Sequence, residues 1–185
     1  MKDLFLKYLN HSFHQVPTSF SLGLLVVFGV ASVLLIALLG YKKGYIGALR
    51  LFLLEYLVWI FSLTVLFRNK LTVMQYSPSL LKLYHAYQNK SLYSLSECIS
   101  NICIFIPIGF LLCCSFDKMK WWKAFLIGGG VSVLIEVCQL LFRRGTAELS
   151  DVVYNTLGCM IGYGVYRAIV CLAKHISRIK QFKTI

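Results

Sequence analysis

A glutamate at position 136 interrupts an otherwise apolar run from Trp122 to Phe142, a stretch about the length needed to cross a bilayer as a helix. Removing a carboxylate from water inside such a span is costly, and intramembrane acids pair with partners, relay protons or line ligand pathways. Gln139, Arg143, Arg144, Asp151 and Asn155 follow it across one short connection into the next apolar segment. Residues of these types orient polar groups through amides, and a carboxylate among them pairs with a cation or hydroxyl or accepts a proton.

Apolar segments must carry these groups, because 58% of the residues are hydrophobic, 14% are charged and the mean hydropathy is +0.73. Such a chain belongs in lipid. Five runs are long enough to satisfy their backbones internally as helices: Phe20 to Leu39, Ala48 to Phe67, Leu95 to Phe116, Trp122 to Phe142 and Val152 to Ala173. The fold expected is therefore an all-α integral membrane protein, a bundle of five transmembrane helices. Its organisation reads as an amino-terminal interfacial segment with the first span (1–45), a four-helix domain (46–173) and a basic tail (174–185). The first run has a longer apolar core than a signal peptide and no small-residue cleavage site before Tyr41-Lys42-Lys43, so it reads as a retained anchor.

Five spans put the termini on opposite faces, which sorts the cations into two sets. One holds Lys42, Lys43, Arg50, Lys118, Lys120, Lys123, Arg167, Lys174, Arg178, Lys180 and Lys183; the other holds Lys2, Lys7, Arg68, Lys70, Lys82, Lys90, Arg143 and Arg144. The first set is larger and lies in tighter connections, which predicts an outside amino terminus and a cytoplasmic carboxyl terminus. Because the basic residues flank spans, the net charge of +12 implies contact with anionic headgroups and not with nucleic acid. Two connections have interfacial character. Leu4, Phe5, Leu6, Tyr8, Leu9 and Phe13 precede the first span, and Leu80, Leu81, Leu83, Tyr84 and Tyr87 interleave with Lys82 and Lys90 after Ser77-Pro78. The second segment is either a cover over the mouth of the bundle or a loop carrying ordinary interfacial aromatics.

At about 100° per residue, Gly129, Ser132, Glu136, Gln139 and Arg143 fall within an arc of roughly 80° on the fourth span. Asp151, Asn155, Gly158 and Gly162 share roughly 60° on the fifth. Polar groups thus sit with glycines that let a neighbouring backbone approach, and the two stripes are expected to face each other. On the third span Asn101 is followed by Pro107 and Gly109, a loosened stretch of helix. Rise per residue puts Asn101, Glu136 and Asn155 within roughly 6 to 9 Å of one common face. A single polar pocket of Asn101, Ser132, Glu136, Gln139, Arg144, Asp151 and Asn155 is the expectation, with Gly109, Gly129, Gly158 and Gly162 packing the helices.

Three stretches then carry a resemblance: Asn101 with Phe105-Ile-Pro107-Ile-Gly109; Ser132, Glu136 and Gln139; and Arg144-Gly145-Thr146 followed by Asp151 and Asn155-Thr156-Leu-Gly158. In this order, over roughly Ala48 to Arg167, the chain resembles VanZ-like membrane proteins. That family is named for a protein of resistance to teicoplanin, a glycopeptide with a fatty acyl tail that acts on cell-wall precursors at the outer leaflet. The resemblance implies a role at the cell envelope that lowers sensitivity to teicoplanin-type lipoglycopeptides, without implying a reaction. Ser150 departs from the family, which often carries an acid beside the residue matching Asp151; this weakens any role that needs a carboxylate pair there.

Three readings of the pocket stand side by side. It binds a lipid-linked cell-wall precursor or the acylated drug at the outer leaflet; it modifies a lipid headgroup with Glu136 as general base; or its polar groups tie helices together, Glu136 being neutralised by Arg143 or Arg144. A catalytic site would lack a visible nucleophile, since no Ser-His-Asp order or phosphate-cradling glycine loop is present. No metal or cofactor is implied: His11 and His14 are one turn apart without further ligands, and the seven cysteines never form a CxxC pair. Glu55, at mid-depth in the second span, shows no partner in the sequence, and Tyr56 to Phe67 reads as lipid-facing helix.

Overall fold

The computed structural model describes residues 16–182. The interfacial segment read at Leu4 to Phe13, together with His11 and His14, lies outside the described residues. Five helices are long and apolar enough to span a membrane: α1 (Thr18–Tyr41), α2 (Lys43–Leu66), α4 (Leu92–Ser115), α5 (Trp121–Phe142) and α6 (Leu149–Ser177, helical on to Phe182). A short helix α3 (Lys82–Gln88) sits between α2 and α4, and two-residue strands β1 (Tyr76–Ser77) and β2 (Ala147–Glu148) pair in parallel. The basic tail from Lys174 is a direct continuation of α6 as far as Phe182.

α1 and α2 form one helical run folded at Gly40, whose φ of +73° and ψ of 163° suit only glycine. The fold brings Gly44 against the backbone of Ile36, where a Cβ would lie 2.4 Å from its Cα. No residue in the apolar stretch of α1 is buried, so α1 leans on α2 and leaves its remaining surface to lipid.

The core lies among α2, α4, α5 and α6, where Ile60, Val65, Phe105, Ile108, Ile135 and Cys159 are buried together. Ile60 and Val65 correct the expectation that Tyr56 to Phe67 faces lipid: the end of α2 packs inward. That end widens into a π-turn over Ser62–Leu66, with the Phe67 N–H bonded to the Ser62 carbonyl. Pro107 sits inside α4, and the Tyr56 hydroxyl donates to the Ile104 carbonyl at 2.9 Å in the turn before it.

α4 and α6 approach most closely, and three glycines allow it. A Cβ on Gly109 would lie 1.9 Å from the Cys159 carbonyl oxygen, one on Gly158 2.1 Å from that of Ile102, and one on Gly162 2.0 Å from that of Ile106. The glycines of α6 therefore serve α4, not α5 as the facing-stripe expectation had it. α5 meets α6 differently, through Gly128 against Cys159 and Gly129 against Thr156.

Candidate functional site

α1 begins, α2 ends, α4 begins, α5 ends and α6 begins on one face of the bundle, and the polar residues collect there. Two connections close over it. The chain after α2 pairs with the chain after α5 through the Lys70–Arg144 bridge, the Leu71 N–H donating to the Arg143 carbonyl at 2.7 Å, and the β1–β2 ladder. Arg143 and Gly145 take positive φ values of 55° and 93°, turning the chain off α5 and back into α6.

Glu136, 8% exposed, accepts a hydrogen bond from the Glu148 N–H at 2.7 Å. Its carboxylate thereby holds the strand that precedes α6. One turn deeper, the Asn155 amide donates to the Ser132 hydroxyl at 2.8 Å and bridges α6 to α5. Gln139 turns the other way and donates to the Thr64 carbonyl at 3.0 Å, inside the π-turn of α2. The widened turn thus presents a carbonyl sideways to a neighbouring helix.

The charged centre is Lys82. Its Nζ lies 3.0 Å from Glu97 of α4, 2.7 Å from Glu148 of β2 and 4.0 Å from Asp151 in the first turn of α6. Burial alone lowers the Lys82 pKa, but Asp151, Glu148 and Glu97 outweigh it and hold the ammonium above the ordinary lysine range. Asn101 stands within side-chain hydrogen-bonding reach of Asp151. The Leu83 N–H donates to the Tyr154 hydroxyl at 3.1 Å, a second tether between α3 and α6. Beside the Lys82–Glu148 pair opens a cavity of about 340 Å³ lined by Ser77, Ser79, His85, Asn89 and Ser94.

The family model for VanZ/LLP1 matches residues 28–171. This chain belongs to the VanZ/LLP1 family. Protein VanZ of Enterococcus faecium is 33% identical over 125 residues, which cover 65% of this chain and 71% of that protein. No solved structure matches the chain. The VanZ/LLP1 segment contains every side chain of the site, from Arg68 to Asn155, while the first turns of α1 precede it.

Within this VanZ/LLP1 fold, Glu136, Ser132, Asn155, Asp151 and Asn101 gather at the common face, and Gln139 joins through α2. Arg144 is placed elsewhere. Its guanidinium donates to the carbonyls of Leu66 and of Arg68, the latter at 3.0 Å, fastening the end of α2 to the α5–α6 connection. The ion pair expected between Glu136 and Arg143 or Arg144 does not form, and the ion pairs among the described residues centre on Lys82. Arg68 instead lies over Gly145, where a Cβ would come within 2.7 Å of its Nε.

Lys82, Glu97 and Glu148 are the side chains of this polar cluster that the sequence analysis did not assign to it. Glu97 had a legible signal, since it stands four residues before Asn101 and so on the same helical face. Glu148 supplies an acid three residues before Asp151, in a region where Ser150 departs from the family pattern. Nothing in the sequence says that Lys82, set between Leu81 and Leu83, points into the bundle.

Proposed function

We propose that this VanZ/LLP1 protein lowers sensitivity to teicoplanin-type lipoglycopeptides by holding the acylated drug, or a lipid-linked cell-wall precursor, in a polar pocket at the outer leaflet. One observation carries the reading: a buried carboxylate and an ammonium with its acidic partners converge from four elements beside a polar cavity at one end of the spans. Pockets of this kind fix orientation with a few placed polar groups while the apolar part of the ligand stays in lipid. The distribution of lysine and arginine supports an outward pocket, because the opposite face carries the denser basic connections. The amide bonds alone would serve as helix glue worth about 0.6 kcal/mol each. The buried acid and the adjoining cavity go beyond what glue needs.

Glu136→Gln and Asn155→Ala, expressed at verified membrane levels, test the reading against teicoplanin and against vancomycin, which lacks the acyl tail. Glutamine keeps an acceptor for the Glu148 N–H while removing the acid, so it is the substitution that least disturbs the fold. Loss of protection against teicoplanin alone is expected. Full protection with both substitutions would overturn the reading.

A further inference from the structure

Among the described residues, Glu55 is the acid of the spans that stands away from the polar face. It is 8% exposed, so more than nine-tenths of it is buried. At about 1.5 Å of rise per residue it lies roughly 16–18 Å from either end of α2, the middle of a hydrocarbon core about 30 Å thick. Among the described residues no hydrogen bond or ion pair reaches its carboxyl group. Arg50, the cation nearest in sequence, donates to the Ser115 carbonyl and lies over the Phe116 ring, and the Tyr56 hydroxyl is engaged by Ile104. An acid buried at such depth pairs with a counter-charge or marks a ligand's path.

A cavity of about 250 Å³ lies against Glu55, between α1 and α2. Two contacts hold the helices together on either side of it. Gly44 backs onto Ile36 beside the fold at Gly40, and Phe20 meets Phe67 edge-on with ring centroids 5.2 Å apart. Between these contacts α1 supplies Ser21 and Leu24, and α2 surrounds Glu55 with Phe52, Tyr56 and Trp59. The cavity opens sideways into lipid, since Phe52 in its wall is 48% exposed. Ser21 and Leu24 precede residues 28–171, so one wall lies ahead of the VanZ/LLP1 segment.

This lining selects its ligand by charge. An anion would meet a carboxyl group and the negative faces of aromatic rings. An uncharged alcohol would bond to the carboxyl group and draw nothing from the rings, whereas an ammonium group uses both. Depth narrows the choice further, because a phospholipid headgroup would have to sink through a whole leaflet to reach Glu55. The complementary molecule is an amine that dissolves in lipid.

We propose that the cavity between α1 and α2 is a second binding site, entered from the membrane, for a lipophilic amine whose nitrogen comes to rest beside Glu55. The amine enters uncharged, takes the proton of the Glu55 carboxyl group, and stays as the ammonium half of an ion pair. The Ser21 hydroxyl on the α1 wall offers it a further acceptor. The site stands independently of the outward pocket, so drug protection plays no part in its test.

The test uses the full chain in phosphatidylcholine nanodiscs, with N,N-dimethylhexylamine as the probe and hexanol as its uncharged control. At a free concentration about ten times its Kd, the amine raises the unfolding temperature by about 3–6 °C, the mass-action effect of a ligand that binds only the folded chain. Glu55→Gln keeps the size of the side chain and removes the acid, and it abolishes the shift. Leu24→Trp fills the cavity from the α1 side with Glu55 intact and abolishes it too. No shift in the parent, an equal shift in Glu55→Gln, or an equal shift with hexanol overturns the proposal, the last by making the cavity a berth for acyl chains.

Should neither variant fold, the parent chain decides. Dicyclohexylcarbodiimide dissolves in lipid and adds to a carboxyl group that carries its proton, leaving a mass-shifted Glu55 peptide, and a tertiary amine is not consumed by this chemistry. N,N-dimethylhexylamine slows the labelling of Glu55 several-fold while hexanol leaves it unchanged. Equal labelling rates with the two overturn the proposal.

Discussion

Gly158→Ala strikes at the contact on which the site's geometry rests. The added Cβ would lie 2.1 Å from the Ile102 carbonyl oxygen, whereas real Cβ atoms essentially never come closer than 3.0 Å. α6 must therefore retreat from α4 by roughly 1 Å, because backbone on both sides leaves no flexible side chain to yield. Overpacking of this kind costs about 1–3 kcal/mol. For a chain of this length that amounts to a fall of roughly 2–12 °C in unfolding temperature. The same retreat carries Asp151 away from Asn101 and strains the 2.8 Å bond between Asn155 and Ser132, so protection against drug falls as well. Gly164→Ala is the control, as nothing lies within 4 Å of its Cβ position, and exchanging glycine for alanine in open helix is neutral or stabilising by roughly 0.5–1 kcal/mol. Thermal unfolding of both variants in nanodiscs, followed by circular dichroism, decides the matter. Equal unfolding temperatures for Gly158→Ala and Gly164→Ala would refute the reasoning.

Arg144→Ala should lower stability by about 1–3 kcal/mol through the loss of charge-assisted bonds to Leu66 and Arg68, while Arg143→Ala, at an exposed position, stays within about 0.5 kcal/mol of the parent. Chemical denaturation of the two variants reads the contrast, and equal losses would remove Arg144 from its role as a latch. The Lys82 contribution should persist into alkali. Its folded pKa lies above the ordinary lysine value, so the contribution is complete below about pH 10.4 and is lost only as pH rises through the folded value. The gap in unfolding temperature between the parent and Lys82→Met should thus stay constant from about pH 7 to about pH 10. A gap that closes within that window would contradict the assigned pairing.

The helices were legible because hydropathy and length leave few alternatives for an apolar chain; most of their ends fall within about five residues of the expected positions, while α6 runs on past Ala173 to Phe182 because hydropathy does not mark where a helix leaves the membrane. Glu136, Ser132 and Asn155 were legible for a related reason: helical spacing fixes which side chains share a face and at what depth. The partners of a face are not fixed by spacing. Gly158 and Gly162 serve α4 because backbone contact there depends on how three helices pack together. Arg144 looked like a counter-ion by proximity in sequence, but its positive-φ neighbours turn the connection so that its guanidinium meets the carbonyls ending α2. Lys82 was the least legible. Its segment has the composition of an interfacial helix, and whether such a helix turns its cation to water or into the bundle is set by Glu97, Glu148 and Asp151, which are distant in sequence.

The proposed function requires the polar pocket to open to the outside of the cell. Ser79→Cys lies in the cavity wall, and Lys118→Cys lies between α4 and α5 on the opposite face. In intact cells, a membrane-impermeant maleimide should label the cysteine at position 79 directly and that at position 118 only after permeabilisation, each read by mass spectrometry of its peptide. The reverse pattern would contradict an outer-leaflet pocket outright.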